Sequence, residues 1–250
     1  LKIGIFGDSF STERTLWNEY KNYNHLQDFG MSWVAHCRIR NPNWQIKNYS
    51  QPGTCLYFSY YHYLENKHKF DKIIFVYTNH GRFSKKTDRQ WLSVPSAASA
   101  REKMKGTDIL SEKLFYKAAQ QFIVHVQDDK KERILWKLMH DDIKKDDKVF
   151  SVYAFPDPYK TKHNLRVIQI LEGESAKLKQ DQWSSPFSKV VDMRYNHITG
   201  INNQILAKEI TKQILDNQKE FTLDINKYQF DTAEIQKHFV SSKHLKKNLK

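Results

Sequence analysis

Four short segments carry residue types that do chemistry together. They are Gly7-Asp8-Ser9-Phe10, Asn48-Tyr49-Ser50-Gln51-Pro52-Gly53, Thr78-Asn79-His80-Gly81-Arg82 and Asp192-Met193-Arg194-Tyr195-Asn196-His197. Between them they hold a hydroxyl, a glycine that exposes its backbone, a side-chain amide and an imidazole. An acyl-transfer site is assembled from those parts: a nucleophile, oxyanion donors and a general base. Ser9 would attack a carbonyl while His197 takes its proton. Each residue also has a plainer role open to it. Ser9 can cap a helix after a tight turn, Gly53 can simply turn the chain after Pro52, and Asn79 can tie loops together. His197 can stand at the surface ahead of a helix, His80 can line a pocket or sit in a loop, and Arg82 can bind an anionic group or form a salt bridge. Asp8 is read as holding its turn through backbone hydrogen bonds. The remaining histidines, Cys37 and Cys55 show no metal-ligand spacing, so neither a metal nor a cofactor is expected.

Such residues act together only if the fold brings them to one rim. Residues 2–6, 44–49, 72–77, 148–155 and 189–193 read as strands, and the run Ile73-Ile74-Phe75-Val76-Tyr77 is nearly continuous in its apolarity. Continuous runs suit strands of a parallel sheet, buried on both faces. Residues 29–39 and 55–67 are long enough for crossover helices. Ile109, Leu110, Leu114, Phe115, Ala118, Phe122 and Val126 recur at helical spacing, and after Asp128-Asp129 the pattern resumes with Ile134, Leu135, Leu138, Met139 and Ile143. That spacing predicts a helical hairpin over 108–145 whose apolar stripe is core. A last helix carries Ile201, Ile205, Leu206, Ile210, Ile214 and Leu215. The alternation points to an α/β fold with a mostly parallel five-stranded sheet and helices on both faces. In such sheets ligands bind beyond the carboxyl ends of the strands, where all four segments fall.

Gly7-Asp8-Ser9-Phe10 after an N-terminal strand resembles the first block of the SGNH/GDSL hydrolase family, and the segment ending in Gly53 is similar to its second block. Tyr77-Thr78-Asn79-His80 matches the third block at Asn79 but lacks the preceding Gly and the following Asp. The segment ending in His197 resembles the fifth block at its His. There the family places its Asp three residues earlier, where this chain has Arg194. The blocks come in the family's order over residues 2 to 199, in the style of divergent members from phage genomes. The resemblance implies a three-layer, flavodoxin-like SGNH hydrolase fold over residues 1–220, with a helical insertion at about 84–147 and a basic extension at 221–250. It implies Ser9 as nucleophile and His197 as base, with Ser9, Gly53 and Asn79 as oxyanion hole. Asp192, five residues before His197, either orients the imidazole or leaves a Ser–His dyad. The implied substrate is a small acyl ester, as in an acetylated saccharide. The same residues serve hydrolysis and acyl transfer.

Composition sets the outer bounds. The chain has 250 residues, 39% hydrophobic, 28% charged and 14% aromatic, with 8 Gly and 6 Pro. These values exclude collagen-like, low-complexity and disordered classes. No run approaches the roughly 18 apolar residues of a membrane helix, and the opening residues lack the long apolar stretch of a signal peptide. A cytoplasmic or virion-associated protein with no membrane partner is expected. The formal charge of +13 comes mostly from scattered Lys, which reads as a solvated surface rather than a nucleic-acid groove. Two other readings are kept: a non-catalytic binding or virion-structural protein on the same fold, and a basic polyanion binder whose retention would weaken with salt.

Overall fold

The computed structural model describes residues 1–8, 10–13, 32–51, 53–78, 80–86, 91–94, 97–154, 200–219 and 225–228. The chain falls into two compact units. One comprises Leu1–Thr12 with Gln45–Thr161, the other Glu13–Trp44 with Lys162–Lys250.

The first unit is built on four parallel strands in the order β2-β1-β3-β6: β1 (Lys2–Phe6), β2 (Gln45–Asn48), β3 (Lys72–Tyr77) and β6 (Val149–Tyr153). Ile5 pairs with Asn48 on one side and Ile74 on the other, and Tyr77 pairs with Tyr153. The apolar runs explain the placement. Residues 73–77 of β3 and all of β6 are buried, as strands covered on both faces must be. In β2 only Ile46 is buried, the alternation of an outer strand. Gly4 is required because a Cβ there would meet the Phe70 ring at 2.5 Å. The expected α/β class and parallel sheet are thus present, while the strand expected at 189–193 lies outside the described residues.

Helix α2 (Leu56–Asn66) precedes β3, and the segment between β3 and β6 holds a short antiparallel hairpin, β4 (Phe83–Lys86) with β5 (Trp91–Val94), then α3 (Ala97–Lys105), α4 (Leu110–His125) and α5 (Asp129–Ile143). The two long helices over 108–145 are as their spacing predicts. Asp128 starts the second by accepting hydrogen bonds from the Lys130 and Lys131 amides, an N-cap. Their burial meets expectation only in part, with Ile143 buried and Phe115, Phe122 and Met139 partly so. Ile109, Leu110, Leu114, Val126, Ile134, Leu135 and Leu138 are exposed, whereas Tyr116 and Ala119 of α4 and Trp136, His140 and Ile143 of α5 are buried. Each helix therefore carries a second stripe, and the aromatic-rich one faces inward. Trp136 and Ile143 join Phe6, Tyr63, Phe75 and Tyr77 in the main core, while Tyr116 and Ala119 form a separate small cluster with Val94 and Ala100. The two helices therefore do not form the expected hairpin laid against the sheet: α4 packs on α3 in the small cluster, and α5 joins the main core. Tyr60 and Tyr63 of α2 donate hydrogen bonds to Asp142 and Asp146, at 2.8 and 2.9 Å, which ties α2 to the end of α5.

In the second unit α1 (Trp33–Arg40) packs on α6 (Gly200–Leu215). Leu206, Ala207, Ile210 and Ile214 supply the buried face of α6. The Trp33 amide donates to Asn203 Oδ1 at 3.1 Å and the Cys37 thiol to the Ala207 carbonyl at 3.7 Å, which ties the two helices together.

Candidate active site

The β1 turn begins with Gly7, where a Cβ would run into Ser11 Oγ and come within 2.7 Å of Val76 Cβ. Only glycine lets the chain pass this close to β3. Asp8 follows, fully buried. Its Oδ1 accepts the Phe10 amide at 3.1 Å, closing an Asx turn. Its Oδ2 accepts Thr78 Oγ1 at 2.8 Å and Arg82 Nη1 at 2.6 Å. The role expected of Asp8 is therefore present and wider than expected: it holds its own turn and also anchors the segment after β3.

The segment after β2 is tied to the same turn. Asn48 Nδ2 donates to the Ser11 carbonyl at 2.6 Å, and the Ser11 hydroxyl donates to Ser50 Oγ at 2.8 Å. Thr54 Oγ1 donates to the Gln51 carbonyl at 2.7 Å, closing the loop around Gly53. Gly53 has φ +75 and open space where a side chain would lie. A left-handed backbone of this kind favours glycine, and the missing side chain leaves the peptide approachable. The strand order reverses between β1 and β3, since the chain runs outward from β1 to β2 and then returns to β1's other side. Open parallel sheets bind ligands at the carboxyl ends of strands beside such a reversal. Asp8, Thr78 and Arg82 stand at that point.

Arg82, read as a candidate for an anionic substrate group, is nearly buried, with its Nη1 on Asp8 and 3.4 Å from the Thr54 carbonyl. His80 Nε2 donates to Asp129 Oδ1 at 2.7 Å, and Arg133 Nε donates to Asp129 Oδ2 at 2.7 Å. The His80 hydrogen bond, followed by that from Arg133, holds the Asp129 carboxyl below the usual carboxylate range. Nothing local in the sequence marks this pair, because its members are 49 positions apart.

A cavity of about 380 Å³ opens beside these loops. Its walls come from the start of α2 and one face of α5, with Cys55, His80, Arg82 and Glu132 bordering it. Burial raises the Glu132 carboxyl above its usual range. The Trp136 indole donates to the Thr78 carbonyl at 3.0 Å, so one wall of the cavity is fastened to the segment after β3. The sequence reading missed Tyr60, Glu132 and Trp136 because they looked like ordinary helix residues.

Ser9, Asn79, Asp192 and His197 lie outside the described residues. The structure brings together Asp8, Gly53's loop, Thr78, His80 and Arg82 from the first three segments. Both cysteines are unpaired and buried, and burial pushes the Cys37 thiol up to about 12, well out of the reactive range. Among the described residues no group of three or more His, Cys, Asp or Glu is placed to hold a metal ion, and no helix is long and apolar enough to cross a membrane. No protein-family model and no curated protein matches the chain.

Proposed function

We propose that the chain is a serine esterase of the SGNH/GDSL type, acting on acyl esters such as O-acetyl groups of a saccharide. One observation carries the reading: the flanks of the first three blocks meet at the carboxyl edge of the sheet, joined by the Asp8 carboxylate to Thr78 and Arg82 and by Ser11 to Ser50. The order β2-β1-β3-β6 fits the three-layer fold of that family. Ser9 Oγ attacks the ester carbonyl and passes its proton to His197. The oxyanion forms against the N–H groups of Ser9 and Gly53 and the Asn79 amide. The tetrahedral intermediate then collapses, and His197 returns the proton to the departing alcohol. Water, activated by the same imidazole, releases the acid and restores Ser9. His80 and Arg82 border the substrate. A cytoplasmic or virion-associated setting goes with two unpaired thiols.

The test is hydrolysis of an activated acetate ester together with labelling by a serine-directed phosphonate. Ser9→Ala abolishes both, and Asn79→Ala costs about 100- to 1,000-fold in kcat by removing one oxyanion donor. Asp192→Ala separates triad from dyad: a loss near 10,000-fold marks an orienting carboxylate, a small loss a dyad. If wild-type and Ser9→Ala proteins are equally inert toward short esters, the esterase reading is wrong and a non-catalytic role on this fold replaces it.

A further inference from the structure

We infer that the cavity between α2 and α5 is a binding site for the apolar moiety of a medium-chain ester, so that the substrate is larger than an acetyl group alone. The inference rests on the esterase reading for the word ester, but the cavity's own chemistry names the moiety. Its volume of about 380 Å³ suits a small ligand. Leu56, Tyr57 and Tyr60 line one side, and Leu135, Trp136 and Met139 the other. Tyr57 is 53% exposed, Leu135 42% and Leu138, at the rim, 61%. This apolar surface stays wet until something apolar covers it, and covering it is favourable. The polar groups at the border have other partners. Arg82 is on Asp8 and His80 is on Asp129. Glu132 is raised by desolvation, which marks the chamber as a poor place for charge.

Position ties the chamber to the proposed chemistry. Arg82 is shared between its wall and the Asp8 turn that precedes Ser9, and Cys55 follows the Gly53 loop by two residues. The Cys55 amide also donates to Ser84 Oγ at 3.0 Å, which ties this border of the chamber to β4. A chain leaving an ester carbonyl at that rim needs only to turn toward α5 to enter it. The insertion carrying α5 thus supplies one wall of the site, and this wall sets substrate length.

Binding and turnover are measured separately. Neutral N-phenyl-1-naphthylamine is titrated by fluorescence into the intact Ser9→Ala protein, and methyl octanoate and octyl acetate are tested as displacers. The two esters carry apolar chains of similar length on opposite sides of the carbonyl. The dye is expected to bind and to be displaced by at least one of them. Leu138→Arg, at an exposed position, and Met139→Trp, which fills the chamber, should each weaken dye binding about tenfold, the worth of roughly two methylenes. With wild-type protein, kcat/KM should rise about fourfold per added methylene along the acyl or the alcohol series, and the steeper series identifies which side of the ester is seated. No dye binding, dye binding untouched by both variants, or flat series in both arms with an active enzyme overturns the inference. Dye displacement by either ester with no turnover by wild-type protein sinks the esterase reading instead and leaves the chamber standing.

Discussion

At the scale of single residues the controlling group is Asp8. It is completely buried, its partner Arg82 nearly so, and the pair is 2.6 Å apart. A buried ion pair adds little over a well-packed apolar pair, but removing one member strands the other charge in the interior. Arg82→Met should therefore cost about 3–5 kcal/mol in urea unfolding, and Asp8→Asn a similar amount, because each leaves its partner uncompensated. The double variant should recover part of the sum, and the coupling from the four-member cycle measures the pair. Additive single losses would mean the two residues act independently, against the observed geometry. On the proposed esterase reading the same variants should also slow ester hydrolysis beyond their effect on stability, since Asp8 adjoins Ser9 in sequence and holds Thr78, which adjoins Asn79. Gly7 is constrained more simply. A methyl there collides with Ser11 and with Val76, and both are fixed by the turn and by β3.

At the scale of elements, α5 shows what local sequence decides and what it leaves open. The helical period over residues 134–143 was legible, and so was the break at Asp128-Asp129. The face that would be buried was legible only in part: of the expected stripe Met139 and Ile143 turn inward beside Trp136 and His140, while Ile134, Leu135 and Leu138 are exposed. Only long-range partners choose between the two faces: Tyr153 takes the His140 ring nitrogen at 2.8 Å, and Thr78 takes the Trp136 indole. The β4–β5 hairpin was missed because its strands are four residues each and Phe83-Ser84-Lys85-Lys86 has no apolar run. Helix α5 also carries two tests. Asp128→Ala removes the N-cap and should cost about 1 kcal/mol by thermal or urea unfolding. Asp129 titrates below its ordinary value because His80 and Arg133 hold it charged. A depressed carboxylate contributes stability that is complete above its unfolded pKa and is lost as pH falls through the folded one. Below about pH 4 this contribution fades, so Asp129→Asn should make the acid limb of the stability curve shallower while leaving its alkaline limb alone. An acid limb identical in the two proteins would mean the exposed His80–Asp129–Arg133 chain carries no net energy in water.

At the scale of the whole chain, the parallel sheet was legible because strands buried on both faces must be apolar almost throughout. That the first three segments gather at one edge of the sheet was legible because each directly follows the apolar run of β1, β2 or β3. The chamber was not, since its lining comes from residues near 55–60, 80–82 and 132–139, which only the fold makes neighbours. The same burial that builds the core predicts how the protein fails in alkali. Burial pushes Cys37 and Tyr60 each up to about 12. Burial likewise raises Tyr63, Tyr77 and Tyr228 above the ordinary value of 10.0, with Asp146 adding to the first and Glu209 to the last. A group whose folded pKa is raised keeps its proton longer in the native state than in the unfolded chain. Its stabilising contribution is complete below the unfolded pKa and is lost as pH rises toward the folded one. All five groups act in the same direction, so stability should begin to fall near pH 9, where the unfolded thiol starts to ionise, and fall more steeply above about 10, when unfolded tyrosines follow. The formal charge of +13 works the other way, because lysines losing protons relieve self-repulsion. The tyrosine and thiol effect should prevail because Cys37, Tyr63, Tyr77 and Tyr228 are buried, whereas charge on scattered lysines is screened by solvent and salt. Tyrosinate absorbance and helical circular dichroism should therefore change together in one cooperative alkaline transition. Tyr63→Phe should move that transition to higher pH, since it removes one strongly raised group. If every tyrosine instead titrates near its ordinary value while the helical signal stays intact, the hydroxyls of Tyr63, Tyr77 and Tyr228 are not held as described.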